Sequence, residues 1–123
     1  MTATVLVIDD SLMVRQQVSR ALVGAGFTVV EAKDGVDALE KLAGRPETRL
    51  IVCDVNMPRM SGIEFLEQCE RNGNKVPIVM LTTEGQPELI ERAKALGAKG
   101  WLFKPFKPEL LIATAKKLTA AAA

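Results

Sequence analysis

Apolar positions along the chain change their period repeatedly. Short runs rich in Val, Ile and Leu, at Thr4–Ile8, Phe27–Glu31, Leu50–Cys53, Pro77–Leu81 and Gly100–Phe103, alternate with stretches in which apolar residues recur three or four apart. Short continuous runs of this kind predict parallel strands covered on both faces. Between the first two, Val14, Val18, Ala21, Leu22 and Ala25 form one face of a helix that Gly26 closes. Asp34 predicts the cap of a second helix carrying Ala38, Leu39, Leu42 and Ala43, stopped by Gly44 and Pro46. Ser61 and Glu64 have the spacing of a capping box for a third, through Phe65, Leu66 and Cys69. Leu89, Ile90, Ala93 and Leu96 mark a fourth before Gly97, and Pro108 opens a fifth through Leu111, Ala115 and Leu118. Five strand–helix units in succession predict an α/β fold, an open doubly wound parallel sheet in a three-layer sandwich. One domain is expected over 1–123, with its core at 4–118.

Composition narrows the function classes. A chain of 123 residues suits one ordinary domain. Sixteen basic against fifteen acidic residues leave +1, so no bulk field points to nucleic acid or an anionic membrane. Apolar runs fall far short of the roughly 18 residues of a membrane span, and no basic region precedes an apolar stretch at the N-terminus. A cytoplasmic protein is therefore expected. Cys53 and Cys69 have neither metal-ligand spacing nor disulfide partners, and read as small buried hydrophobes. The absence of histidine removes His-based acid–base catalysis and histidine metal sites.

Candidate chemistry follows from topology. In open α/β sheets ligands bind beyond the carboxyl ends of the strands. Those ends hold Asp9 and Asp10 after the first strand, Asp54 after the third, Thr82 and Thr83 after the fourth and Lys104 after the fifth. Each alone has a structural reading: Asp10 as a helix cap, Asp54 in an Asx-turn before Pro58, Thr82 closing a strand, Lys104 as a solvated charge. Together they require more, because two carboxylates about 5 Å apart repel by ~3 kcal/mol at an effective dielectric of ~20. A cation relieves that repulsion, and oxygen ligands without His or Cys select a hard ion such as Mg²⁺.

The pieces "VLVIDDS" at 5–11, "DGVDAL" at 34–39, "CDVNMPRMSG" at 53–62, "PIVMLTT" at 77–83 and "GAKGWLFKPF" at 97–106 carry a resemblance when taken in this order. The chain resembles the receiver domains of two-component response regulators, most closely single-domain chemotaxis receivers. That resemblance implies a flavodoxin-like sheet of order 2-1-3-4-5 with five helices. It implies that Asp54 accepts a phosphoryl group from a phosphohistidine on a sensor histidine kinase. Asp10, Asp54 and the backbone carbonyl of Asn56 would hold Mg²⁺ (Mn²⁺ able to substitute), with Asp9 acting through water. Lys104 and Thr82 would contact phosphoryl oxygens, and the Lys104–Pro105 peptide would be cis. Trp101 would be the switch aromatic of an output face made of the fourth helix, fifth strand and fifth helix, including Ile90, Lys94, Lys99 and Lys117. Asn56 and Glu84 would flank the path of the hydrolytic water.

The implied protein is a monomeric signalling switch, not a turnover enzyme, whose output partner is the flagellar motor switch or another motility protein. Other readings stay open at this point. The chain could be a receiver cut from a larger regulator or hybrid kinase, or a receiver that binds partners without phosphate, although every key residue is present. An electron carrier on this scaffold would want a Ser/Thr/Gly-rich loop where "DDSLM" stands. A haloacid-type phosphatase would want a D-x-D pair, whereas Val55 and Asn56 follow Asp54.

Overall fold

The computed structural model describes residues 3–83 and 85–122, with side chains as far as residue 120. Its elements run β1 (Thr4–Ile8), α1 (Leu12–Gly24), β2 (Thr28–Ala32), α2 (Gly35–Ala43), β3 (Thr48–Cys53), α3 (Gly62–Arg71), β4 (Ile78–Thr82), α4 (Pro87–Ala95), β5 (Gly100–Phe103) and α5 (Pro108–Ala122). The sheet order is β2-β1-β3-β4-β5 and every pairing is parallel, the flavodoxin-like arrangement. The most continuous apolar runs occupy the centre: β1 and β4 are buried along their whole length, whereas edge strands β2 and β5 are partly exposed.

Successive strand residues point to opposite faces, so each central strand feeds two cores. Leu6, Ile8, Ile51, Cys53 and Met80 pack on one face, under Ala38, Phe65 and Ala93 of α2, α3 and α4. Val5, Val7, Val52 and Leu81 pack on the other, under Val18 and Leu22 of α1 and Leu111 and Ala115 of α5. Two layers of helix thus enclose one of sheet.

The helix signals hold in detail. Asp34 caps α2 by accepting from the Asp37 N–H at 2.9 Å, and Ser61 and Glu64 make both arms of the capping box of α3. Gly26 follows α1 with φ 99° and Gly97 follows α4 with the same value, left-handed positions that favour glycine. Three details differ from expectation. The cap of α1 is Ser11, whose Oγ accepts from the Val14 N–H, so Asp10 has no capping role. β3 starts two residues early, at Thr48, where pairing with β1 passes through a register shift between Thr4 and Val5. β2 and β4 each end one residue later than expected, which makes Thr82 the last residue of β4. Among the described residues, no helix is long and apolar enough to cross a membrane.

Candidate functional site

Backbone pairing delivers the site residues to one rim. The Asp54 N–H donates to the Ile8 carbonyl at 2.9 Å, which sets the residue after β3 beside the end of β1. The Asp9 N–H donates to the Ala32 carbonyl at 3.1 Å and the Lys104 N–H to the Thr82 carbonyl at 2.9 Å. These bonds tie the ends of β2, β1 and β3 to one another and the end of β5 to that of β4. One oxygen each from Asp9, Asp10 and Asp54 then lies within 4.8 Å of the others. Asp9 and Asp54 are buried, at 3% and 6% exposure, whereas Asp10 is exposed.

The Lys104 ammonium sits between the two buried acids, 2.8 Å from Asp9 Oδ2 and 3.3 Å from Asp54 Oδ1. The other Asp9 oxygen accepts from the Ser11 N–H at 2.9 Å, and Asp54 Oδ1 also accepts from the Val55 N–H at 2.8 Å. Burial, and after it the Asp9 charge, raises the Asp54 carboxyl above its ordinary range, against the opposing pull of Lys104 and the Val55 N–H. Burial works against the Lys104 ammonium, but the two carboxylates outweigh it and raise the amine. Among the described residues, the Lys104 ammonium therefore contacts two of three clustered carboxylates. The surplus negative charge and the oxygen-only donor set fit a hard divalent cation, which would take over the neutralisation that Lys104 supplies only in part.

Local geometry behind Asp54 is tight. A Cβ on Gly62 would run into the Asp54 carbonyl oxygen and lie 2.9 Å from the Met80 methyl and from Val55 Cα. Only glycine lets α3 start this close under the end of β3, where the Gly62 N–H donates to the Val55 carbonyl at 2.8 Å. The turn between them is braced from α2. Arg59, with φ 66°, grips Asp34 by two contacts, Nε to Oδ2 at 2.8 Å and Nη2 to Oδ1 at 3.0 Å. Burial raises the Asp34 carboxyl, but the Asp37 N–H and the Arg59 guanidinium outweigh it and hold the group below its ordinary value.

Thr82 is fully buried at the end of β4, and Asn56 is exposed in the turn after Asp54. The Lys104–Pro105 peptide is cis. Trp101 is half-buried, packed on the core layer that holds Ala93, and its indole Nε1 is buried without a hydrogen-bond partner among the described residues. Ile90 is half-buried, and Lys94, Lys99 and Lys117 are exposed. Glu84 lies outside the described residues.

Sequence reasoning missed two arginines. Arg15 donates from Nη1 to the Asp9 carbonyl at 2.7 Å and from Nε to Glu31 at 3.2 Å, steadying the first acid from α1. Arg59 gave one signal, a long charged side chain in a turn built otherwise of small or apolar residues. An apolar groove of about 690 Å³, lined by Val14, Ala21, Pro105 and Phe106, opens beside Lys104.

Comparison with known proteins agrees on one family. The profile of the response regulator receiver domain matches residues 5–116. Chemotaxis protein CheY1 of Helicobacter pylori is 37% identical over 110 residues, covering 86% of this chain and 88% of that protein. Response regulator MprA of Mycobacterium ulcerans is 40% identical over 121 residues, 96% of this chain but 50% of that protein. The solved structure of Vibrio cholerae chemotaxis protein CheY4 superposes with a TM-score of 0.89 at 44% identity, covering 96% of this chain and 99% of that one.

Proposed function

Because the chain belongs to the response regulator receiver domain family, whose members are signalling proteins that imply a histidine kinase partner, we propose that it is a chemotaxis-type switch phosphorylated on Asp54. The observation that carries this reading is the placement of the Lys104 ammonium across the buried Asp9 and Asp54 carboxylates, at the point where three acids converge. An Asp54 oxygen attacks the phosphorus of a kinase phosphohistidine. A P–O bond forms as the P–N bond breaks, and its electron pair returns to the imidazole nitrogen. A carboxylate nucleophile needs no general base, so the lack of histidine costs nothing here.

Asp10, Asp54 and the Asn56 carbonyl would hold Mg²⁺ (or Mn²⁺), and Asp9 would act through water. When bound, that ion supplies charge neutralisation on the transferring group. Lys104 keeps its hold on Asp9 and turns from the Asp54 carboxylate to a phosphoryl oxygen. The Thr82 hydroxyl binds another. Its burial at the strand end makes its movement toward phosphate a packing event, felt by the neighbouring strand β5 and Trp101. The output face then consists of α4, β5 and α5, with Ile90, Lys94, Lys99, Trp101 and Lys117 reading out to a partner such as a flagellar motor switch or other motility protein.

The likeness to CheY1 and CheY4 supports the chemotaxis type over transcriptional control, and the groove beside Lys104 offers a kinase an apolar footing next to the acceptor. The reading carries with it a cytoplasmic monomer with one domain over 1–123. Intact-mass spectrometry after incubation with Mg²⁺ and a small acyl phosphate tests it. One phosphoryl group should be added to the parent and none to Asp54→Asn; equal modification of both would remove Asp54 from this role.

A further inference from the structure

The "DG" pair at 34–35 has no part in the chemistry above, yet it meets the turn that follows Asp54. Asp34 is nearly buried and already occupied as the cap of α2. It also receives the fork of Arg59, whose side chain is half in solvent. Next to it, a Cβ on Gly35 would stand 2.7 Å from Met60 Cγ and 2.8 Å from Met60 Cβ and Sδ, so the start of α2 is pressed directly against the turn. Between Arg59's neighbours the Met60 N–H donates to the Pro58 carbonyl at 2.7 Å. That bond spans two residues around a central residue with φ 66°, the signature of a rare, strained γ-turn. A bulky residue keeps such a conformation only where its surroundings over-determine it. Here the two-point bridge to Asp34 does so.

We propose that Arg59 is a positioning residue, which, with Asp34 behind it, clamps the 56–60 turn so that the Asn56 carbonyl and Asp54 face the same point as Asp10. The inference rests on the metal-dependent reading above. Arg59 touches neither metal nor phosphoryl group; it acts through the backbone three residues upstream. The fork is required because a bidentate guanidinium fixes direction as well as distance, which an ammonium does not. Removal of such supporting contacts lowers metal affinity by roughly tenfold or more elsewhere.

The sign of the effect separates positioning from charge. Taking a positive residue away from an acidic site should, by Coulomb's law alone, tighten cation binding. Loss of the clamp predicts the reverse. Mn²⁺ binding is followed by electron paramagnetic resonance of the free ion, at a temperature where circular dichroism shows every variant folded. Arg59→Ala should weaken Mn²⁺ binding about tenfold. Arg59→Lys should fall between parent and Arg59→Ala. Arg59→Gly relieves the positive φ and should be more thermostable than Arg59→Ala, yet bind Mn²⁺ as weakly, because the bridge is gone in both. Unchanged or tighter Mn²⁺ binding in Arg59→Ala and Arg59→Gly would overturn the clamp while leaving the phosphorylation reading intact. A parent that takes up neither Mn²⁺ nor a phosphoryl group would overturn both.

Discussion

Gly62→Ala is the sharpest probe of how the acceptor is mounted. The added methyl has nowhere to go: it meets the Asp54 carbonyl oxygen, Val55 Cα at 2.9 Å and the Met80 methyl at the same distance. Met80 can turn its tip aside, but the first two are backbone and cannot rotate away. Either α3 backs out from under β3 or the end of β3 shifts. Overfilling of this kind costs about 1–3 kcal/mol. Backing out also stretches the bond from the Gly62 N–H to the Val55 carbonyl, worth about 1 kcal/mol. A total of ~2–4 kcal/mol over 123 residues, at an unfolding entropy of roughly 2.1 cal/mol/K per residue, lowers Tm by about 8–15 °C. Thermal unfolding by circular dichroism in metal-free buffer reads it. Gly24→Ala is the control, since nothing lies within 4 Å of a Cβ there; its Tm should stay level or rise by up to about 4 °C, as alanine suits a helix better. A Gly62→Ala Tm within about 3 °C of the parent would refute the close approach of α3 to the Asp54 carbonyl.

Three further outcomes are expected. Asp10→Ala should weaken Mg²⁺ binding in a calorimetric titration yet leave metal-free Tm level or higher, because one of three crowded carboxylates is gone and Ser11 still caps α1; a clear metal-free loss would contradict this. Trp101 emission should respond to beryllofluoride with Mg²⁺ more than to Mg²⁺ alone, since the ring packs on the core layer that holds Ala93 and belongs to the edge strand, which pairs with neither β1 nor β3; a change saturated by Mg²⁺ alone would place it against the metal. Asn56→Met or Asn56→Lys should lengthen the life of the phosphorylated form in a single-turnover decay, because an exposed amide that can hold a water in line is replaced; unchanged decay in both would exclude that role.

Sequence patterns reached most of the architecture because this fold is built from strong local signals. Thr4–Ile8 and Gly100–Phe103 have the expected bounds, and the Ser61–Glu64 box and the Asp34 cap form as read. The start of β3 escaped because Thr48 and Arg49 are polar, and a register shift against β1 leaves no mark on hydrophobic period. Asp10 reads as a cap in sequence, but the backbone geometry gives that place to Ser11. The convergence of Asp9, Asp54 and Lys104 was readable through the rule that sites lie at strand carboxyl ends and through the family resemblance, not through proximity, since Lys104 and Asp9 are 95 residues apart. No comparable rule exists for the second layer. Arg59 and Asp34 stand 25 residues apart, one on a turn and one at a helix start, and nothing in either neighbourhood announces the other.

The sheet order distributes the site unevenly. Asp9 and Asp54 leave β1 and β3, strands paired on both sides, whereas Trp101 lies in β5 and Lys104 directly follows it, and β5 is a four-residue strand at the sheet edge with β4 as its single partner. Local opening begins where few buried contacts and exposed backbone coincide. The amine and the indole can therefore depart together in a sub-global excursion that leaves the acids in place on the central strands. In amide exchange, the N–H groups of β5 would trade protons on a faster clock than those of β1 and β3. Each such excursion would leave the Asp9–Asp54 pair transiently without its ammonium while the rest of the domain stays folded.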